Sequence, residues 1–294
     1  MVLINMRQYL KLIRVEQYIK NVFVFAPLFF SGAFLNCVLL QNTFICFICF
    51  CLASSSVYIM NDYFDINEDK LHPIKSKRPL AAKTVSIKSA LILFIIMLFT
   101  SLTISFYFNL YVFYCILLYF ILNVCYTLKL KHIALLDINI IATGFVLRIL
   151  AGGFSTSIEP SIWILIETYL LALFLALAKR RTDFVLNSKG LQVRKNIEGY
   201  NLIFIDITLG VLASIIIICY IFYCISPQVQ EHYHSNLVYL SILFVLNGLI
   251  RYLKLAIVDE STYSPTLIIL KDKFIQITIL LWLILLGFLL YYKF

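Results

Sequence analysis

Residues 44–69 read FICFICFCLASSSVYIM and then NDYFDINED, an uncharged apolar run that passes directly into a cluster of acids. A helix needs about 20 mostly apolar residues to cross the hydrocarbon core of a membrane, and the apolar run approaches that length. If the helix continues through the acids, Asp62, Asp65 and Asp69 fall at i, i+3 and i+7 on one face. The stretch therefore predicts a membrane-spanning helix with three carboxylates along one side of its end.

The composition of the whole chain is typical of a membrane protein. Apolar residues make up 62% of the 294 residues and charged residues 13%, whereas a soluble domain carries about 25% charged residues. We therefore expect an all-α, polytopic membrane bundle of about nine transmembrane helices, folded as a single domain over residues 1–294. The predicted spans lie near residues 22–38, 44–60, 87–106, 110–128, 135–153, 162–178, 202–225, 237–252 and 275–292.

The basic residues are concentrated in the N-terminal stretch and in alternate loops of this arrangement, and the loops between contain no lysine or arginine. By the positive-inside rule, the basic segments face the cytoplasm. We expect an integral protein of the inner or plasma membrane, with its N-terminus in the cytoplasm and its C-terminus outside. The two most basic loops contain Lys70, Lys75, Lys77, Arg78, Lys83 and Lys88, and Lys179, Arg180, Arg181, Lys189, Arg194 and Lys195.

The acidic motif over residues 61–69 predicts a metal site. The whole chain has fifteen acidic residues, so three on one helix face form an unusual concentration. Carboxylate oxygens suit Mg²⁺, which keeps several waters and typically bridges to substrate phosphates. A solvated acidic helix end is the alternative interpretation.

Cations follow the acidic motif within a few residues, among them Lys75 and Arg78. Positive charges beside a metal site are useful if the ligand carries more negative charge than the metal neutralises, as a diphosphate does. Arg78 can fork onto phosphate oxygens, while Lys75 acts as a point charge. A basic loop that only sets the membrane orientation is the alternative.

Arg148 lies inside the fifth predicted span, where an ionisable side chain is a functional candidate by default. Asp137 precedes it by about three helical turns, and Gly144 and Gly152 flank it at i−4 and i+4. The glycines predict a smooth stripe on which a ligand or another helix can lie close. A structural ion pair between Asp137 and Arg148 remains the alternative.

The sixth predicted span ends in Lys179-Arg180-Arg181-Thr182-Asp183, and Arg194, Lys195 and Tyr200 follow. One interpretation is a second phosphate-binding wall opposite the acidic motif. The other is a charge bias that only orients the protein in the membrane.

The acidic motif, with its pattern Asn-Asp-x-x-Asp-x-x-x-Asp, resembles the first Asp-rich motif of the UbiA superfamily of intramembrane prenyltransferases. The chain is most similar to the branch that contains decaprenyl-phosphate phosphoribosyltransferase, over nearly its whole length. The further motifs that carry this resemblance are Arg14-x-x-Gln17-x-x-Lys20-Asn21, His72-Pro73-x-Lys75-x-x-Arg78-Pro79-Leu80-Ala81, Tyr126-x-x-x-x-Lys131-His132, Gly144-Phe145-x-x-Arg148-x-x-Ala151-Gly152-Gly153, Lys179-Arg180-x-x-Asp183 and Leu270-Lys271-Asp272.

The resemblance implies a nine-helix bundle in which Mg²⁺ holds a diphosphate against Asp-rich loops. One departure bears on the substrate. Members that use prenyl diphosphates usually carry a second Asp-rich motif after the sixth span. Here that region is basic, with Asp183 alone where the phosphoribosyl branch usually has Glu. The departure favours an acceptor that is itself a phosphate, and it leaves the role of Asp183 open.

The hypothesis from the sequence is therefore the transfer of 5-phosphoribose from phosphoribosyl diphosphate (PRPP) to a polyprenyl phosphate, with release of diphosphate. Asp62, Asp65 and Asp69 would hold Mg²⁺. Asn61, Asp65 and Asp183 are the candidate catalytic residues. The candidates for binding the substrates are Lys20, Asn21, Lys75, Arg78, Tyr126, Lys131, Arg148, Lys179 and Arg180.

Two other functions remain open at this point. A prenyl-diphosphate transferase acting on an aromatic acceptor would need the second acidic motif, which the sequence lacks. A transporter of an anionic solute would need polar residues through the membrane midplane and at both faces, whereas the ionisable groups here lie on one side. Beyond the two substrates we expect contacts with membrane lipids and none with nucleic acid. A homo-oligomer is compatible with the sequence.

Overall fold

A computed structural model describes residues 2–71, 75–188, 199–260 and 265–291. Over these residues the chain is built from helices and turns, without β-strands, which confirms the all-α membrane fold. Eight helical stretches in these ranges are long and apolar enough to cross a membrane. They are Cys37–Phe64, Ile87–Phe108, Leu110–Leu128, Leu136–Thr156, Ile162–Asn187, Leu202–Ile225, Asn236–Val258 and Lys273–Tyr291.

The described residues form two compact units, the first up to Pro160 and the second from Ser161 onward. The assignment of the chain to a single domain stays a prediction. The first unit consists of α1 (Val2–Ile13), a 3₁₀ helix (Val15–Phe25), α2 (Ala26–Phe30), α3 (Cys37–Phe64), α4 (Ile66–Leu71), a 3₁₀ turn (Lys75–Lys77), α5 (Ile87–Phe108), α6 (Leu110–Leu128), a 3₁₀ turn (Leu130–His132) and α7 (Leu136–Thr156).

Polar side chains define where the long helices of the first unit begin. The Asn36 side chain accepts from the first backbone amides of α3, and Ser86 caps α5 in the same way. Asn109 ends α5 in an extended conformation and then caps α6, so one residue makes the reversal between two spans. These side chains satisfy amides that have no partner inside the helix.

The predicted span over residues 22–38 is wrong as a single helix. Its residues are divided between the 3₁₀ helix, α2, a turn at 31–36 and the start of α3. The 3₁₀ helix runs antiparallel to α3, because Tyr18 bonds to Ser55, Asn21 reaches Cys51 and Ser54, and Phe25 packs on Phe47. Hydropathy alone could not locate this reversal, since the residues on both sides of the turn are apolar.

The 3₁₀ helix also lies against α7, and the two backbones approach closely at Gly152. A Cβ atom at Gly152 would lie 2.0 Å from the Val24 carbonyl oxygen, so only glycine fits the present spacing. Val24 and Ala151 belong to the buried core of the first unit, with Phe50 and Tyr119 from α3 and α6. The small-residue stripe on α7 therefore packs against another helix, which is one of the two interpretations that the sequence left open.

The second unit has its own framework, held at one end by an arginine. Arg181 is 4% exposed and forks onto Asp206 of the next helix, with an Nε–Oδ1 distance of 2.6 Å, and also donates to the Ala256 carbonyl. The elements are α8 (Ile162–Ser188), α9 (Leu202–Ile225), α10 (Pro227–Tyr233), a 3₁₀ helix (Asn236–Ser241), α11 (Ile242–Leu253), a π-helical turn (Lys254–Val258), α12 (Pro265–Lys271) and α13 (Lys273–Tyr291).

Candidate active site

The acidic motif lies where α3 gives way to α4. The hydrogen-bond ladder continues through the junction, since the Asp65 amide donates to Asn61 and the Asp69 amide to Asp65, at 2.9 and 2.8 Å. A local break at Asp65 separates the two helices. The predicted continuation of the helix is thus confirmed apart from this break, and it brings Asp62 and Asp69 to a common partner.

That common partner is Arg78. Its Nη1 atom donates to Asp69 Oδ2 at 2.7 Å and lies 3.2 Å from Asp62 Oδ1. Both carboxylates are buried, with exposed fractions of 1% for Asp62 and 2% for Asp69. Charged hydrogen bonds of this kind offset the cost of removing the carboxylates from water.

Arg14 is a second cation at the motif, and the list of site residues predicted from the sequence omitted it. Its guanidinium donates to Asp62 Oδ1 and lies over the Tyr58 ring, 4.8 Å from the ring centroid. The residue has a φ of 54°, a left-handed conformation between α1 and the 3₁₀ helix that costs a non-glycine residue about 1 kcal/mol. The only sequence signal was its place in the Arg14-x-x-Gln17-x-x-Lys20-Asn21 motif.

The remaining polar residues of the motif face the end of α6. Lys131 donates to Asp65 Oδ1 at 2.5 Å. The Thr127 hydroxyl contacts the Asn61 side-chain oxygen. Thr127 is another residue that the sequence did not single out, because nothing distinguishes it from the other polar residues in membrane helices.

The chemistry of the motif fits a divalent cation held by two carboxylates. The Asp62 Oδ2 atom is buried and has no hydrogen-bond partner among the described residues, so it has a free coordination position. Asp69 lies near Asp62 because both carboxylates contact the Arg78 guanidinium. Asp65 instead pairs with Lys131. Mg²⁺ is commonly held by one or two carboxylates together with waters and substrate phosphates. Within the described ranges no three His, Cys, Asp or Glu side chains are grouped closely enough to coordinate one ion.

A separate cationic site surrounds Arg148 on α7. The guanidinium is 4% exposed, and it donates to Asn21 Oδ1 at 2.8 Å and to the Gly144 carbonyl at 2.7 Å. The Tyr119 hydroxyl lies 3.3 Å from Nη2, and the guanidinium carbon lies 4.7 Å from the centroid of that ring. These acceptors are neutral. The structural ion pair between Asp137 and Arg148, which the sequence left open, is absent from the described contacts of Arg148.

Lys20 adds a second positive charge near Arg148. The half-buried amine has no hydrogen bond or ion pair to any described residue. Burial, with the charge of Arg148 adding to it, lowers the pKa of Lys20 to about 8. Two neighbouring cations without a described carboxylate partner form a favourable site for an anion, because an incoming phosphate supplies the missing negative charge.

The other predicted residues are distributed over both units. In the first unit, Lys75 begins a 3₁₀ turn and Tyr126 lies in the last turn of α6, both partly buried. In the second unit, Lys179 is exposed and the buried Arg180 pairs with Asp183 at 3.1 Å. Four residues of the predicted motifs lie outside the described ranges: His72, Pro73, Arg194 and Lys195.

Comparison with protein families gives one match over most of the chain. The model of the UbiA prenyltransferase family matches residues 23–266. Among curated proteins, decaprenyl-phosphate phosphoribosyltransferase of Mycolicibacterium smegmatis is 30% identical over 97% of this chain and 92% of its own length. The enzyme with the same name from Corynebacterium glutamicum is 29% identical over 93% of this chain and 83% of its own.

Solved structures show the same fold. A UbiA homologue from Archaeoglobus fulgidus bound to GPP and Mg²⁺ superposes with a TM-score of 0.71 at 20% identity, covering 97% of this chain and all of the homologue. The same homologue bound to DMAPP and Mg²⁺ gives a TM-score of 0.72 at 19% identity, covering 96% of this chain and 99% of the homologue. At these identities the likeness concerns the fold.

Proposed function

The chain belongs to the UbiA prenyltransferase family, and from this membership we propose that it transfers 5-phosphoribose from PRPP to a polyprenyl phosphate. The reaction breaks the bond between C1 of the ribose and the diphosphate oxygen. It forms a bond between C1 and an oxygen of the lipid phosphate, and diphosphate leaves. The family membership and the related phosphoribosyltransferases identify the protein as an integral membrane transferase that acts on polyprenyl phosphate.

The observation that supports the proposal is that the first unit contains two separate clusters of cationic side chains. One combines the carboxylates Asp62 and Asp69 with Arg14 and Arg78, and suits a diphosphate held through a metal. The other, around Arg148, has neutral hydrogen-bond partners and suits a monophosphate without a metal. A reaction between a diphosphate donor and a phosphate acceptor uses both kinds of site.

In the donor site, Asp62 and Asp69 would hold Mg²⁺, with Asp65 as the third predicted ligand. Bound there, the metal neutralises the charge that develops on the departing diphosphate. Arg14 and Arg78 donate hydrogen bonds to the same leaving group, where interactions that strengthen in the transition state are most effective. Asn61, whose side chain contacts Thr127, is proposed to support these metal ligands.

The ribose passes through a state with positive charge at C1, which a carboxylate favours. Asp65 or Asp183 is the proposed carboxylate, and Lys131 holds Asp65 through an ion pair. The lipid phosphate is already ionised and needs little help from a general base, so positioning accounts for much of the catalysis. We assign Lys20, Asn21, Tyr126 and Arg148 to phosphate binding in the first unit.

The basic segments are proposed to bind further phosphate groups of the substrates, and they also bear on the orientation of the protein in the membrane. Lys75 is proposed to act as a point charge on the diphosphate, and Lys179 and Arg180 of the second unit are separate candidates for binding a substrate monophosphate. By the positive-inside rule we propose that the site lies at the cytoplasmic face, with the N-terminus on that side and the C-terminus outside.

A second candidate is an aromatic prenyltransferase, favoured by the fold it shares with a UbiA homologue bound to GPP and Mg²⁺. The basic segment around Lys179 and Arg180 opposes it, because prenyl-diphosphate users usually have an acidic motif there.

The test offers purified protein two mixtures with Mg²⁺, labelled PRPP with a polyprenyl phosphate and a labelled prenyl diphosphate with an aromatic acid. The proposal predicts label in the lipid phase from PRPP, and loss of that transfer with EDTA. Transfer in the second mixture alone would identify an aromatic prenyltransferase and contradict the proposal.

A further inference from the structure

Each of the three aspartates of the acidic motif is paired with a cation of the chain itself. Arg14 and Arg78 both donate to Asp62 Oδ1, and Arg78 also donates to Asp69 Oδ2 at 2.7 Å. Asp65 receives Lys131 at 2.5 Å. The two buried carboxylates and the two guanidinium groups therefore cancel in formal charge. A divalent cation that entered this cluster alone would lie beside two positive side chains.

We propose that the motif binds a divalent metal more tightly together with a diphosphate than alone, and that Arg78 is the residue that couples the two. The inference rests on the proposed function and deepens it. When metal and diphosphate arrive together, Arg78 passes from Asp69 to the diphosphate, and Asp69 becomes available to the metal.

The geometry distinguishes the two aspartates. Asp62 Oδ2 is buried and without a partner, so a metal can reach it while Arg14 and Arg78 stay on Oδ1. Asp69 Oδ2 is occupied by Arg78 Nη1, so a metal that bridges both carboxylates must displace that nitrogen. Asp62 is therefore the initial ligand, and Asp69 completes the site only after Arg78 has moved.

The cost of that displacement explains why a diphosphate strengthens metal binding. The Arg78 side chain is only 24% exposed, so water replaces its carboxylate partners poorly, and an unpaired charge at such burial is strongly unfavourable. Diphosphate oxygens offer the guanidinium charged hydrogen bonds of the same kind as those it leaves. A soluble anion such as chloride does not match the planar fork of the guanidinium in this way.

The experiment measures Mn²⁺ retained with detergent-solubilised protein on a filter that passes free metal and free metal diphosphate. Inorganic diphosphate is the probe, so no transfer reaction is needed. Wild-type protein should retain Mn²⁺ at about tenfold lower concentration with diphosphate than without it. Arg78→Gln should bind bare Mn²⁺ about tenfold more tightly than wild type, since a competing charge is gone, and should gain less from diphosphate.

Lys88→Gln is the matched control, because it removes one exposed charge from the start of α5 without a described side-chain partner. It should behave as wild type. Arg14→Gln is the second variant, and it should shift bare Mn²⁺ binding in the same direction as Arg78→Gln. Folding of each variant is checked by its thermal transition before binding is measured.

The possible outcomes distinguish failure of the Arg78 coupling from failure of the proposed metal–diphosphate site. If wild-type protein retains neither Mn²⁺ nor diphosphate, the proposed metal–diphosphate site itself is contradicted. If wild type retains both, but folded Arg78→Gln and Arg14→Gln bind bare Mn²⁺ no more tightly than wild type, the coupling is overturned and the function stands.

Discussion

Replacing Gly152 by alanine tests the contact that positions the residues of the first unit proposed to bind phosphate. The added Cβ would lie 2.0 Å from the Val24 carbonyl oxygen and 2.9 Å from its carbonyl carbon. Close carbon–oxygen contacts are about 3.3 Å or longer, so the backbones must separate by about 1 Å. Both groups belong to the main chain, and no side-chain rotation relieves the overlap. We expect a loss near the upper end of overpacking costs, about 3 kcal/mol.

The separation should also weaken the phosphate site. Asn21 lies on the same 3₁₀ helix as Val24 and accepts from Arg148, one turn before Gly152 on α7. Moving the two helices apart breaks this 2.8 Å hydrogen bond, so the KM for the lipid phosphate should rise together with the loss of stability.

The assay is thermal unfolding in detergent, followed by kinetics at a temperature where the variant is folded. A loss of about 3 kcal/mol lowers Tm by about 6–12 °C in a protein of this size class. Gly210→Ala is the control, because no atom lies within 4 Å of a Cβ added there, and its Tm should be unchanged or slightly raised. A Gly152→Ala protein with the Tm and KM of wild type would refute the close approach of the 3₁₀ helix to α7.

Three further predictions follow from the charged residues. The amine of Lys20 loses its proton as pH rises through about 8, so kcat/KM for the lipid phosphate should fall above that pH, by up to about tenfold per unit; a Lys20→Met enzyme that keeps this limb would exclude Lys20 as its origin. Asp62→Asn should lower the transfer rate by about 100-fold or more, while its Tm stays within a few degrees of wild type. Glu68→Gln, which changes an exposed residue of the same motif, should remain active. If Asp62→Asn does not fold, Asp62 has a structural role instead. Arg181→Met should lower Tm, since it leaves Asp206 and the Ala256 carbonyl without their partner. The expected loss of stability is about 2 kcal/mol. An unchanged Tm would show that the contacts of Arg181 contribute nothing to the stability of the second unit.

The sequence predicted the membrane helices and the clustering of Asp62 with Asp69 well, because each depends on local patterns. Apolar length alone located eight of the spans, and the i, i+3, i+7 spacing predicted that Asp62 and Asp69 would share a face. The intramembrane position of Arg148 marked it as a functional candidate, and its buried cluster of neutral partners is consistent with that interpretation.

The failures concern features that local patterns do not encode. The span over residues 22–38 was wrong because a window that sums apolar length passes over the short turn that contains Ser31, Gly32 and the helix cap Asn36. Arg14 was missed because its approach to Asp62 depends on a left-handed residue and on the antiparallel packing of two distant segments. Thr127 was missed for a related reason, since its contact with Asn61 is set by where α6 ends.

The most direct test of the account is the identity of the reaction product. Purified protein is incubated with PRPP, Mg²⁺ and a polyprenyl phosphate of defined length, and the lipid fraction is analysed by mass spectrometry while diphosphate is measured in the aqueous phase. We predict a lipid whose mass has grown by one phosphoribosyl group, formed in equal amount to the released diphosphate and absent with Asp62→Asn. Diphosphate release without a modified lipid, or a lipid of unchanged mass with fully folded protein, would contradict it.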